Sequence, residues 1–380
     1  MALGLTLTLA FIAFVAMNAA RVVLTLYSLT LGAPAASVGV LGGMFYIFPL
    51  LLSWPIGAAA DRVAPDRLLA SGALAGTVSM LLPYFFPVLG VFYLAAALMG
   101  LSVAFYHVTL QNLVGTLSAP ERRVRNFSNF SMVGAATNFV GPLVAGIAID
   151  HYGYGVGCLT TVGISGMALV LLAIGGRSLP RPGPKLTPPP AKAADMPADP
   201  GIWRMLVVSA MVQLGTDIFQ FYLPIYGHER NMSASAIGSI LASFAVASVA
   251  VRLFLPRVVK RTQPEHVLAF SFYMGAVGFA AVPFFDGVFM LAVVAFVFGM
   301  GMGCGIPLTL MLMFDRSSAG RSGRTLGLRL TTTNAVRVLG PIVFGALATA
   351  FGVGSVFWLS AVTMASGGVL SRRGTSTARA

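Results

Sequence analysis

Of the eleven Asp and Glu residues in the chain, ten fall in polar connections or at their edges. Only Asp217 lies deep inside a long apolar stretch. Two arginines share that setting: Arg21, a turn beyond Asn18, and Arg337, a turn beyond Asn334. Gln213, Asp217 and Gln220 follow an i, i+4, i+7 spacing that lines one face of a helix. Such residues suit two kinds of chemistry. A guanidinium offers a planar fork of donors matched to carboxylate or phosphate, and a buried carboxylate can hold or release a proton. No Ser/His/Asp set, paired carboxylates or metal-ligand spacing accompanies them. Binding and proton movement are therefore expected, without enzymatic catalysis and without a cofactor or metal.

The elements that position these groups are membrane helices. Mean hydropathy is +0.87, and 9% of residues are charged, against roughly 25% in soluble domains. About twelve apolar runs are each long enough to cross a hydrocarbon layer of about 30 Å. The first, from Leu3 to about Leu29, is too long for a signal-peptide core and has no basic region before it, so it reads as a retained span. Asp217 lies 14 residues past Trp203 at the start of the seventh run, roughly 21 Å along a helix and near or slightly outside the midplane. Ionisable groups at that depth are expensive and are functional candidates by default.

Net charge is +13, but its placement argues against nucleic acid. Lys and Arg fall in alternate connections: Arg62 and Arg67; Arg122, Arg123 and Arg125; Arg257, Lys260 and Arg261; Arg316, Arg321 and Arg324. The intervening connections carry only Arg230. That asymmetry puts both termini in the cytoplasm and makes the chain a multi-pass protein of the inner or plasma membrane. Cys158 and Cys304 each lie inside a span, which suits small buried residues better than a disulfide.

The chain is also duplicated. Gly141-Pro142 recurs as Gly340-Pro341, and the same offset of 199 residues carries Gly39 to Gly238, Gly100 to Gly299, Arg125 to Arg324 and Asn18 to Asp217. Two similar bundles around a central site are a common transporter plan. A Pro-rich stretch divides them. The expected organisation is a six-helix bundle over residues 1–176, a cytoplasmic linker over 177–202, a second six-helix bundle over 203–371 and a tail over 372–380. The run Gly299-Met-Gly301-Met-Gly303-Cys-Gly305 follows no strand, so close helix packing or bending explains it better than a nucleotide loop. Arg252 and Arg329 sit nearer the cytoplasmic ends and are expected to snorkel.

After the second run, Gly57-Ala-Ala-Ala-Asp61-Arg62 resembles the G-x-x-x-D-R motif of the major facilitator superfamily, and the resemblance extends over nearly the whole chain. It implies an all-α fold of twelve transmembrane helices in two six-helix bundles. It further implies that Gly57, Asp61 and Arg62 help hold the cytoplasmic gate closed. The motif then departs from the family pattern, with Ala64-Pro65-Asp66-Arg67 in place of G-R-R. Gly141-Pro142-x-x-Ala145-Gly146 is similar to the G-P-x-x-G-G signature of the family's exporters; Gly141, Pro142, Gly340 and Pro341 become gating candidates. Proline bends a helix and small residues let neighbours approach, so a packing role is the alternative. The family's proton-coupled drug exporters carry R-x-x-Q-G-x-G in span four; here Ala96 stands for its arginine, so proton coupling does not carry over through that residue.

By the same resemblance, spans one, four, seven and ten line a central cavity, helped by two, five, eight and eleven. Asn18, Arg21, Gln213, Asp217, Gln220, Asn334 and Arg337 would then face one space, joined by Tyr106, His107, Gln111 and Asn112. Two arginines against one carboxylate favour an anionic or zwitterionic small molecule. Asp217 is expected to pair with Arg21 or Arg337, either as a structural link or as a competitor with substrate and a proton carrier. His107, with an ordinary pKa near 6.5, is the alternative proton carrier. The expected protein is a monomeric secondary transporter exporting such a molecule in exchange for protons. The alternatives are proton-independent anion uptake or exchange, multidrug efflux, and a non-transporting receptor.

Overall fold

In a computed structural model, residues 2–33, 35–180, 200–232, 234–318 and 321–372 are described. Most of the expected linker and tail falls outside them. Among the described residues, twelve α-helices run in chain order. The first half contributes α1 (Ala2–Thr30), α2 (Ala35–Ala60), α3 (Pro65–Phe85), α4 (Leu89–Thr116) and α5 (Arg123–Gly175). The second contributes α6 (Pro200–Glu229), α7 (Ala234–Val259), α8 (Pro264–Ala281), α9 (Val288–Met302), α10 (Gly305–Arg316), α11 (Ser322–Phe351) and α12 (Val353–Arg372). No strand occurs among the described residues.

Among the described residues, eleven helical segments are long and apolar enough to cross a membrane. Residues of α5 number 53, about 80 Å if straight, so it cannot be a single crossing. It changes direction at Gly153, whose φ of 80° is a left-handed conformation that glycine adopts without strain. Counting α5 twice gives twelve crossings, with α9 and α10 sharing one that is interrupted at Gly303–Cys304. Outward-facing apolar side chains such as Phe139, Ile174 and Phe351 fit a hydrocarbon solvent.

The duplication reaches local structure. Both α3 and α8 open with a proline, Pro65 and Pro264, where the missing N–H is no loss. Each carries an acid in its first turn, Asp66 and Glu265, where the helix dipole favours it. Gly100 of α4 lies against the Phe45 carbonyl of α2, and Gly299 of α9 lies against the Phe244 carbonyl of α7; a methyl group on either glycine would collide with that oxygen. The two contacts are related by the 199-residue offset.

The helices form two compact units. One holds α1 to α4, α5 from Asn129 onward and Ser317–Asn334, which includes the first part of α11. The other holds Val124–Ser128, α6 to α10, α11 from Ala335 onward and α12.

Candidate functional site

In the second unit Asp217 projects from α6 and Arg337 from α11. The carboxylate accepts a 3.1 Å hydrogen bond from Arg337 Nε at Oδ2 and a 2.8 Å bond from Gln213 Nε2 at Oδ1. The i, i+4 spacing on α6 thus places Gln213 where it orients the carboxylate toward α11. Of the two arginines that the sequence offered as partners, the structure brings Arg337 to Asp217. The pair is 33% and 36% exposed, so a ligand or water can reach it. Gln220, further along α6, is exposed. Gly340 packs near Leu214 of α6, and of Pro341 only the backbone is described.

Arg21 belongs to the first unit and has a different environment. Its Nη2 donates to the Tyr46 hydroxyl at 3.0 Å, and the guanidinium lies 5.6 Å from the centroids of both the Phe45 and Tyr46 rings. Neutral groups surround the cation, and none of the described carboxylates pairs with it. Aromatic faces compensate a desolvated guanidinium only in part, by about 0.5–2 kcal/mol. Phe45 and Tyr46 were not singled out from sequence, because aromatic residues are common throughout these spans.

Asn18 bonds the Phe14 carbonyl of its own helix at 2.9 Å and reaches Thr137 Oγ1 on α5 at 3.5 Å. Gly141, on the same face of α5, lies so close that a methyl would sit 2.5 Å from Asn18 Cβ. Pro142 follows it within α5. On α4, His107 stacks on Phe14 of α1 with centroids 4.3 Å apart and meets Gln111 Nε2 through Nδ1 at 3.3 Å. The other amide atom, Gln111 Oε1, is buried with no hydrogen-bond partner among the described residues. Tyr106 sits instead against Gly72 of α3 with its hydroxyl buried, away from His107. Asn334 is 2% exposed and turns its amide back to the Leu330 carbonyl. Tyr106 and Asn334 are therefore occupied by packing in this conformation.

Within the first unit, just beyond the end of α2, Asp61 caps α11. Its Oδ1 accepts from the Gly323 amide at 2.7 Å and its Oδ2 from the Arg324 amide at 2.9 Å. Those are N–H groups of the first helical turn, which lack intrahelical partners and carry the positive end of the dipole. The bonds form because α2 and α11 approach at backbone contact. A methyl on Gly57 would strike the Gly323 carbonyl, and one on Gly327 would strike the Ser53 carbonyl. Trp54 lies under the Arg324 guanidinium, 5.2 Å from ring centroid to Cζ, and Ser322 Oγ donates to Asn112 Oδ1 of α4 at 2.6 Å. Burial pushes the Asp61 carboxyl up to about 6, against the opposing pull of the two amides and of Arg324 and Arg62. Arg62 directly follows it in the turn after α2.

Comparisons with known proteins agree on the fold. The family model described as Major Facilitator Superfamily matches residues 6–285 and 205–378. Multidrug resistance protein MdtG of Salmonella paratyphi A is 23% identical over 329 residues, covering 85% of this chain and 81% of that protein; the Salmonella choleraesuis (strain SC-B67) protein gives the same figures. Among solved structures, the human organic anion transporter MFSD10 (TETRAN) superposes with a TM-score of 0.82 at 13% identity, covering 98% of this chain and all of that one. A bacterial homologue of the iron transporter ferroportin, in its outward-facing state, gives 0.81 at 17%, covering 99% and 100%. At such identities the two structures speak to fold alone.

Proposed function

The chain belongs to the major facilitator superfamily, and on that footing we propose that it exports a small organic anion or zwitterion by alternating access, in exchange for protons. The observation that carries this reading is Arg21, a cation inside a membrane span whose described partners are a hydroxyl and two aromatic rings. An arginine at such depth is costly unless something compensates it, and a substrate carboxylate or phosphate is suited to do so through two parallel hydrogen bonds. In the second unit Arg337 is likewise proposed to meet an anion, which would compete with Asp217 for its guanidinium. Gln213 and Gln220 beside Arg337 in the second unit, and Asn18, His107 and Gln111 with Arg21 in the first, are the further polar groups proposed for substrate, with Tyr106 and Asn334 recruited only after rearrangement.

Proton coupling enters through the same competition. When the substrate anion takes Arg337, Asp217 loses its counter-charge and is the group proposed to carry the exchanged proton. His107 is the alternative carrier. Asp61 with Arg62, Gly57 and the first turn of α11 would form the cytoplasmic latch, opening once per cycle, while Gly141-Pro142 and Gly340-Pro341 would let α5 and α11 flex. Both termini would be cytoplasmic, and the fold would act as a monomer.

The likeness to MdtG favours a second reading, multidrug efflux. Thermal unfolding of the purified protein against metabolite anions, sugars, amino acids and lipophilic cations separates the two. Stabilisation by a few anions, lost in both Arg21→Gln and Arg337→Gln, supports the anion reading. Stabilisation by lipophilic cations, or by anions equally in the variants, refutes it and favours multidrug efflux.

A further inference from the structure

The tenth crossing is broken where its counterpart in the other half is continuous. α9 ends at Met302 and α10 begins at Gly305, whereas α4, which the 199-residue offset pairs with them, runs unbroken from Leu89 to Thr116. Three substitutions between the halves explain the difference. Pro307 stands four residues beyond Gly303 and has no N–H to give the Gly303 carbonyl; Val108, its counterpart, has one. Gly303 itself corresponds to Ala104. Across the interface, Arg252 of α7 corresponds to Ser53 of α2.

Arg252 supplies what Pro307 lacks. Its Nε donates to the Gly303 carbonyl at 2.7 Å, and one turn earlier on α7 Ser248 Oγ donates to the Gly299 carbonyl at 3.4 Å. Ser53 is too short for this and bonds the Pro49 carbonyl of its own helix. A guanidinium at the end of α9 also meets the negative end of that helix's dipole. Arg252 is only 9% exposed, so the snorkelling expected from sequence does not occur; the side chain is spent on the break instead. Cys304, at the break, is held by Ser271 Oγ at 2.8 Å and the Gly301 carbonyl at 3.1 Å.

We propose that Arg252 is the positioning residue of a hinge in the tenth crossing. It caps the orphaned carbonyl, so that α10 can swing as a separate half-helix while α9 stays against α7 through the Gly299–Phe244 contact. The far end of α10 bears Arg316, paired to Glu265 of α8 at 3.0 Å. After Arg316 only Ser317 to Arg321 separate α10 from the start of α11, whose amides hold Asp61. The hinge therefore lies on the element leading directly into the latch. The inference is independent of the cargo.

Cys304 provides a native reporter, and Cys158 in the other unit an internal control. In the purified full-length protein, Arg252→Leu is expected to speed N-ethylmaleimide labelling of Cys304 by about tenfold, as befits loss of a hydrogen bond to a charged group, with Cys158 unchanged. Pro307→Ala restores the missing N–H. In that background the effect of Arg252→Leu should shrink to within about twofold, which is the coupling a double-mutant cycle isolates. Pro307→Ala alone should slow hydrogen exchange across the break and the first turn of α10 by about tenfold. An equal labelling effect in both backgrounds would overturn the assignment of Arg252, and unchanged exchange in Pro307→Ala would overturn the hinge. If Arg252→Leu does not fold, recovery of folded protein in the double variant supports the proposal and failure of recovery overturns it.

Discussion

Asn18 on α1 and Asp217 on α6 hold the same place in the duplicated sequence, yet Asn18 reaches a neutral hydroxyl, Thr137, while Asp217 reaches a guanidinium, Arg337. Thr137 directly precedes Asn138, the repeat counterpart of Arg337. The chain thus contains its own control: the same helix crossing forms in one half with no charge at all. Because removing two charges from water often costs more than their attraction returns, the ion pair is poorly explained as a fastener.

Asp217→Asn is accordingly expected to fold, since asparagine already serves the equivalent position. Its thermal midpoint should fall by only a few degrees, the scale of about 1 kcal/mol in a protein of this size. In proteoliposomes, uphill movement of the anion found by the thermal screen should disappear while counterflow exchange persists. Retention of proton-driven accumulation would remove Asp217 as the carrier and turn attention to His107.

Arg21 tests substrate class. Losing one hydrogen bond to a charged group costs about 1.5–3 kcal/mol, so Arg21→Gln should weaken anion affinity by about 10- to 150-fold. Arg21→Lys keeps the charge but loses the planar fork and its stacking, and should recover only part of that loss. Titration calorimetry on the three proteins distinguishes a fork from a point charge: full rescue by lysine would mean that only charge matters.

How far these features were readable depends on which atoms make them. The crossings, the repeat and the depth of Asp217 follow from side-chain type and spacing, which is why they stood out. Asp61 binds main-chain amides of Gly323 and Arg324, and an amide has no residue type to recognise. The G-x-x-x-D-R resemblance pointed to Gly57, Asp61 and Arg62, but not to the amides they meet or to Gly327, whose lack of a side chain lets the two backbones touch. The choice between Arg21 and Arg337 as partner of Asp217 was open because both lie at suitable depth; which helix faces α6 is a matter of tertiary packing. The break at Gly303 did leave a trace, a proline four residues on, but its cap comes from Arg252 on another helix.

The pH dependence of the latch has a definite sign. With Asp61 raised from 3.8 to about 6 in the folded protein, the folded state holds its proton more tightly than the unfolded chain does. Its contribution to stability is therefore complete below about 3.8 and is lost as pH rises through about 6. Thermal midpoints of wild type should decline across that window relative to those of Asp61→Asn, whose residue 61 does not titrate. Parallel curves for the two proteins would show that burial does not govern this carboxyl.

Gly57 offers the sharpest test of the latch as a moving part. A methyl at this position collides with the Gly323 carbonyl only while α2 and α11 are in contact. Overpacking of that kind costs about 1–3 kcal/mol, and here the cost would fall on the engaged conformation alone. Gly57→Ala should therefore shift the population toward the open latch by about 5- to 150-fold. Ser53, whose carbonyl abuts Gly327 in the engaged state, supplies the readout. A Ser53→Cys reporter should label faster with a membrane-impermeant maleimide applied from the cytoplasmic side when Gly57→Ala is present. Gly57→Ala that lowers the thermal midpoint without changing the labelling rate would make the contact a fixed joint, because a static interface is weakened by the clash in every state that labels.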